Sequence, residues 1–288
     1  MIAWEEPLIK ELASRRCLIF LGAGASAGCI SATGASSPPN WENLLIALSG
    51  KLPKTHTDLP LINLLIQEKR FLDAAEVIHN ALSHPTYVAT MRSIFDAPKY
   101  QPSRIHESVL EIDPKIVITT NFDTVYDLYC RTGEAAHGYN VFKYHEDHLV
   151  SDLRTPIRCV IKAHGCITNP DKMVLTKAQF FQARQNSQHF FKVLDSLFLT
   201  HTILFIGYGL SDPDIQLTLE NANISATSSN KHYFVTGSGT HPALKKAAED
   251  TYNIQFIEYA NGNYTQLEDS LDQLAKLVAI DRAQNPMA

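Results

Sequence analysis

An amide and a carboxylate two residues apart, Asn121 and Asp123, follow directly on the apolar run Lys115–Ile118. In an open parallel sheet the carboxyl ends of strands face a crevice, so such a pair is placed to hold a water or a sugar hydroxyl. Read alone, ITTNFD (118–123) also describes a strand-to-helix turn in which Asn121 or Asp123 caps a helix starting near Thr124. A second candidate is His164, which is followed by Gly165 at the end of the apolar run in CVIKAHGCI (159–167). Neutral imidazole there can take a proton from a hydroxyl or a water, and a hydrogen-bonded structural histidine is the alternative. A third is CLIFLGAGASAG (17–28), a buried-strand pattern running into Gly22, Gly24 and Gly28. Such a turn lets the backbone approach a pyrophosphate, with Ser26 as an added donor, or it is simply a tight turn. In TILFIGYGLSDPDI (202–215), Gly207 and Gly209 permit close contact with a ribose or base. Ser211 and Asp212 suit a helix cap there, and Pro213 a first turn.

Several chemistries are disfavoured by what these segments lack. The glycine-rich turn has no GxxxxGK[ST] arrangement, so a P-loop nucleotidase is excluded. A hydride-transfer dinucleotide fold expects an acidic residue ending the second strand about 20 residues on. That position here falls in PPNWENLL, where Glu42 reads as helical. His145 and His148 have metal-like spacing but lie in a polar stretch without further ligands nearby, which reads as a solvated loop, and His137 reads as part of a turn.

The elements that must position these residues follow from periodicity. Near-continuous apolar runs at 17–22, 115–120, 159–163, 202–207, 232–236 and 253–259 read as parallel strands covered on both faces. Between about 40 and 110 the spacing turns helical, punctuated by Pro53, Pro60, Pro85 and Pro98, which predicts a helical insertion module. Residues 267–280 read as an amphipathic helix, and 281–288 as a frayed tail. The expectation is an α/β, doubly wound, mostly parallel sheet in a single domain over 1–288. A formal net charge of −5 with 19% charged residues gives no electrostatic footprint for direct nucleic-acid binding. No apolar run is long enough to span a bilayer, and MIAWEEPLIK does not read as a signal peptide. Five cysteines without a CxxC pair favour buried free thiols and a reducing cytoplasm.

Taken together and in order, GAGAS (22–26), TTNFD (119–123), KAHG (162–165) and GYGLSDPDI (207–215) resemble the sirtuin-like family over roughly residues 15 to 260. The resemblance implies a Rossmann-like domain that takes NAD+, with a small helical module after the glycine-rich turn. It assigns Gly22, Ala23, Gly24 and Ser26 to the pyrophosphate, and Asn121 and Asp123 to the nicotinamide ribose and nicotinamide. His164 becomes the catalytic base. Gly207, Tyr208, Gly209 and Ser211 fall on the adenosine side, with Thr120 a further cofactor-binding position. Two departures separate the chain from the deacylases of that family. Thr120 stands where they carry glutamine, and only Cys166 follows His164, so their four-cysteine zinc ribbon is not expected. The chain thus looks like the bacterial antiphage-defence branch, whose members hydrolyse NAD+ to nicotinamide and ADP-ribose. A protein deacylase and a non-catalytic NAD- or ADP-ribose-binding subunit are the competing expectations. Control is expected from homo-oligomerisation or a separately encoded helicase, ATPase or nuclease partner.

Overall fold

Runs of valine, isoleucine, leucine and phenylalanine without polar interruption need cover on both faces, and they occupy the middle of one sheet. The computed structural model describes residues 1–34, 36–132, 138–210, 213–226 and 231–285; His137, Ser211 and Asp212 lie outside the described residues. The strands are β1 (Cys17–Leu21), β2 (Ile116–Thr119), β3 (Tyr139–Lys143), β4 (Arg158–Lys162), β5 (Thr202–Ile206), β6 (His232–Gly237) and β7 (Ile254–Tyr259). They run in the order β3-β4-β2-β1-β5-β6-β7, and every pairing is parallel. From β1 the chain winds to one side through β2, β3 and β4, then returns to β5 beside β1 and winds outward to β7. The switch of winding direction therefore lies between β1 and β5, where an open α/β sheet forms its ligand crevice. This is the α/β, Rossmann-like doubly wound sheet expected from the sequence.

The two faces follow from alternation along each strand. Cys17, Ile19 and Leu21 join Val117, Leu204 and Ile206 in one core, while Leu18 and Phe20 join Ile118, Ile203 and Phe205 in the other. Helices Glu6–Ala13, Arg104–Ile112 and Tyr264–Gln284 supply cover on the first face, through Leu8, Val109 and Leu271. Helices Lys177–Asn186 and Gln188–Thr200 do so on the second, through Phe180, Phe190 and Leu194. Phe20 is fully buried and contributes about 1.5–3 kcal/mol by leaving water. The edge strand β3 was not among the expected strands. It pairs only with β4, and in YNVFK only Phe142 is fully covered, so its period is masked by Asn140 and Lys143.

Helices Trp41–Ser49, Leu59–Gln67, Phe71–Ala81 and His84–Phe95 form a module with its own core of leucine, isoleucine and Met91. That core runs on into Phe122, Cys166 and Ile167, on the loops after β2 and β4. The next helix, Arg104–Ile112, turns the other way. Ile105, Val109 and Ile112 join the sheet's core, and Arg104 pairs with Glu268, Asp269 and Asp272 of the last helix. Among the described residues, no helix is long and apolar enough to cross a membrane. All five cysteines are free and buried.

Candidate active site

The glycine-rich turns after β1 and β5 interlock. The Gly22 amide donates to the Ile206 carbonyl at 3.0 Å and the Gly24 amide to the Gly207 carbonyl at 2.8 Å. A Cβ on Gly22 would sit 2.5 Å from the Gly207 oxygen, and one on Gly24 2.8 Å from the same atom. Gly207 has φ +63°, and a side chain there would strike the Ala25 amide. The glycines thus serve first to bring two backbones together at the switch point, and the Gly22 and Gly24 amides are occupied by that contact.

The loop after β2 is pinned against this double turn. Thr119 donates its hydroxyl proton to the Leu21 carbonyl at 2.9 Å and accepts the Asn121 amide at 3.0 Å. Asn121 Nδ2 donates to the Gly22 carbonyl at 3.0 Å and to Ser26 Oγ at 3.2 Å. A carbonyl only accepts, so Gly22 fixes which end of the amide is nitrogen. Asn121 Oδ1 consequently has no partner among the described residues. Ser26 Oγ in turn donates a hydrogen bond to Asp123 Oδ2 at 3.1 Å. Asp123 Oδ1 accepts the Val125 amide at 3.0 Å at the start of helix Val125–Tyr129. One carboxylate oxygen thus closes an Asx turn at the entry to this helix, whose N-cap is Thr124, and the other accepts from Ser26. Phe122, between the two, turns into the module core against Phe95, with ring centres 5.8 Å apart.

Lys162, the last residue of β4, is 1% exposed and donates to the Asp123 carbonyl and to Asp127 Oδ2, the latter at 3.2 Å. Burial pushes the ammonium toward neutrality, and Asp127, backed by Cys166 and Asp123, more than reverses that push and holds it charged. Behind the glycine turn, Ser103 donates to the Ala25 carbonyl at 2.9 Å, and its amide donates to His106 Nδ1 at 3.2 Å. Burial carries the His106 pKa down to about 4, so this imidazole stands neutral as an acceptor. None of Thr119, Lys162, Asp127, Ser103 or His106 was assigned a site role from sequence. A lysine inside an apolar strand was the one signal available.

These elements wall a cavity of about 680 Å³ between the sheet and the helical module. Of the expected residues, Ala23, Gly24, Ser26, Asn121 and Asp123 line it. So do Thr120, Gly207, Tyr208 and Gly209. Gly22 lies beneath the turn, and Ser211 is outside the described residues. His164 is not on the wall. It is 5% exposed and packs edge-on to Phe180, whose ring lies 4.9 Å away and does line the cavity. Gly165 after it has φ +84°, and a side chain there would strike the Lys172 carbonyl, which explains the glycine. The module contributes Trp41 stacked on Phe71, at 6.3 Å and 24°, and the cations Lys69 and Arg70. Lys177 from the opposite helix pairs with Asp73, as does Arg70. Among the described residues, no group of three or more His, Cys, Asp or Glu side chains could hold a metal ion.

Residues 115–257 match the family described as the SIR2-like domain. The chain carries a SIR2-like domain. The span of the SIR2-like match holds Asn121, Asp123, His164 and Gly207, and the glycine turn of β1 precedes it. The chain is 27% identical over 221 residues to "Defense-associated sirtuin 2" of Bacillus subtilis, covering 73% of this chain and 20% of that protein. It is 24% identical over 256 residues to "NAD(+) hydrolase ThsA" of Acinetobacter baumannii, covering 87% and 49%. A ThsA of Cytobacillus dafuensis is 24% identical over 282 residues, covering 96% and 51%. The SIR2-like chain thus spans between a fifth and about half the length of these relatives.

Proposed function

We propose that this protein hydrolyses NAD+ at the bond between nicotinamide and ribose, releasing nicotinamide and ADP-ribose, in bacterial antiviral defence. The observation that carries this reading is Asn121. Its amide is locked at the switch-point crevice with an unpartnered oxygen, beside a buried aspartate and the double glycine turn. The names of the ThsA relatives support NAD+ as the substrate.

The reaction needs little from the protein in the way of proton supply. Nicotinamide in NAD+ is a cationic leaving group, so the C–N electron pair returns to the ring and no general acid is required, unlike O-glycoside cleavage. The sugar becomes oxocarbenium-like. Asn121 Oδ1 accepts from the attacking water or a ribose hydroxyl, Asp123 lends negative charge near the sugar cation, and the proton released when water adds passes to His164, a step that requires the Phe180 ring to turn aside. Ala23, Gly24 and Ser26 lie along the pyrophosphate, with Lys69, Arg70 and Lys177 as the nearby cations. Thr120, Gly207, Tyr208 and Gly209 bound the rest of the dinucleotide. Assembly of copies, or a separately encoded helicase, ATPase or nuclease partner, would restrain the activity.

A specific observation favours a second reading. With Phe180 over His164, the site as it stands suits a subunit that binds NAD+ or ADP-ribose without turnover. Purified protein with NAD+, assayed for nicotinamide across protein concentration, separates the two, because a binding subunit releases none. Asn121→Ala and His164→Ala are each expected to lose release at least a hundredfold while melting as cooperatively as wild type. Wild-type turnover in either variant would remove that residue from the mechanism.

A further inference from the structure

A second cavity, of about 410 Å³, opens at the amino-terminal edge of the sheet, where β5, β6 and β7 begin. It lies at the opposite end of these strands from the glycine turns, and the proposed reaction uses none of it. Arg16, Thr202, His232 and Asn253 contribute its polar wall, and Phe198 and Tyr252 its aromatic one. Arg16 is paired with Glu11 at 3.0 Å on the rim, so the site offers neither a bare cation nor a bare anion. Burial carries His232 down to about 4 and lowers His201 as well, so both imidazoles are uncharged near neutrality. His232 is 6% exposed, and its Nδ1 has no hydrogen-bond partner among the described residues. A buried polar atom left without a partner is destabilising, and a ligand carrying the complementary hydrogen-bonding group satisfies it. The Phe198 ring lies 6.3 Å from that imidazole, inclined by 59°.

We propose that this cavity binds an uncharged, planar nitrogen heterocycle of nucleoside size, seated among Phe198, Tyr252 and His232. The balanced rim disfavours anions and cations, the hydroxyl, amide and imidazole groups disfavour a purely apolar ligand, and the volume falls within the usual range for small-molecule sites.

The test is a titration of the full chain with adenosine, AMP and inorganic phosphate, followed by the histidine imidazole resonances. Adenosine is expected to shift His232 and His201 saturably, with AMP at least tenfold weaker and phosphate without effect. The response should persist in Asn121→Ala, which alters the other cavity. It should be lost in Ala226→Trp, a bulky side chain at an exposed lining position, and weakened at least tenfold in His232→Phe. An absent His232 response, AMP or phosphate binding as tight as adenosine, or full binding in Ala226→Trp would overturn the proposal.

Discussion

Asn121 has one polar atom left for chemistry, and the side chains around it are arranged to keep it so. The link from Asn121 through Ser26 to Asp123 holds the amide in one orientation. Ser26→Ala should therefore lower the rate of nicotinamide release about tenfold, since it removes both the hydrogen bond that Oγ accepts from Asn121 and the one it donates to Asp123, each worth about 1 kcal/mol. A rise in KM with the rate unchanged would leave Ser26 only its place along the pyrophosphate, with no part in orienting Asn121. Lys162 is tested differently. Lys162→Met strands Asp127 in the interior, which costs about 3–5 kcal/mol, and adding Asp127→Leu should recover most of that loss. Urea unfolding of the single and double variants measures it, and a double variant no more stable than the single would show that the pair is not what matters. Asn121 and Asp123 were legible in the sequence because they follow an apolar run. Their dependence on Ser26, more than ninety residues away, was not, because periodicity carries no information on which strand ends meet.

At the scale of elements, the two glycine turns behave as one part. Gly207→Ala combines a left-handed backbone with a side chain driven into the Ala25 amide, so it should destabilise the fold by several kcal/mol, well beyond the about 1 kcal/mol of an ordinary glycine replacement. A melting temperature within a degree or two of wild type would mean the turns separate freely. Six of the seven strands were legible because the interior of a parallel sheet leaves an unbroken apolar record. The edge strand β3 was not, since only Phe142 of its five residues is fully buried and polar Asn140 and Lys143 interrupt its apolar run. The end of the insertion was equally hard to place. Arg104–Ile112 is amphipathic like its predecessors, and only its partners show that its apolar stripe faces the sheet rather than the module.

For the whole molecule, acid is the predicted weakness. His106 and His232 have folded pKa values of about 4, below the ordinary 6.5. The unfolded chain therefore binds more protons between those values, so the stability conferred by keeping each ring neutral is complete above about pH 6.5 and is lost as pH falls toward 4. The loss is on the order of 2 kcal/mol per histidine by pH 5. Melting temperature should drop over that window, and His106→Gln, which keeps a side chain able to close the capping box with Ser103, should flatten the curve. An unchanged slope would assign the acid sensitivity elsewhere. Phe122 has a consequence of another kind. Its neighbours face the sheet while its ring is fastened in the helical module, so the loop from Thr119 to Val125 has two anchors that cannot let go separately. The backbone amides of that loop should exchange with solvent at the pace of the module's own opening, making the helical module, and not the sheet, the clock of the loop that carries Asn121.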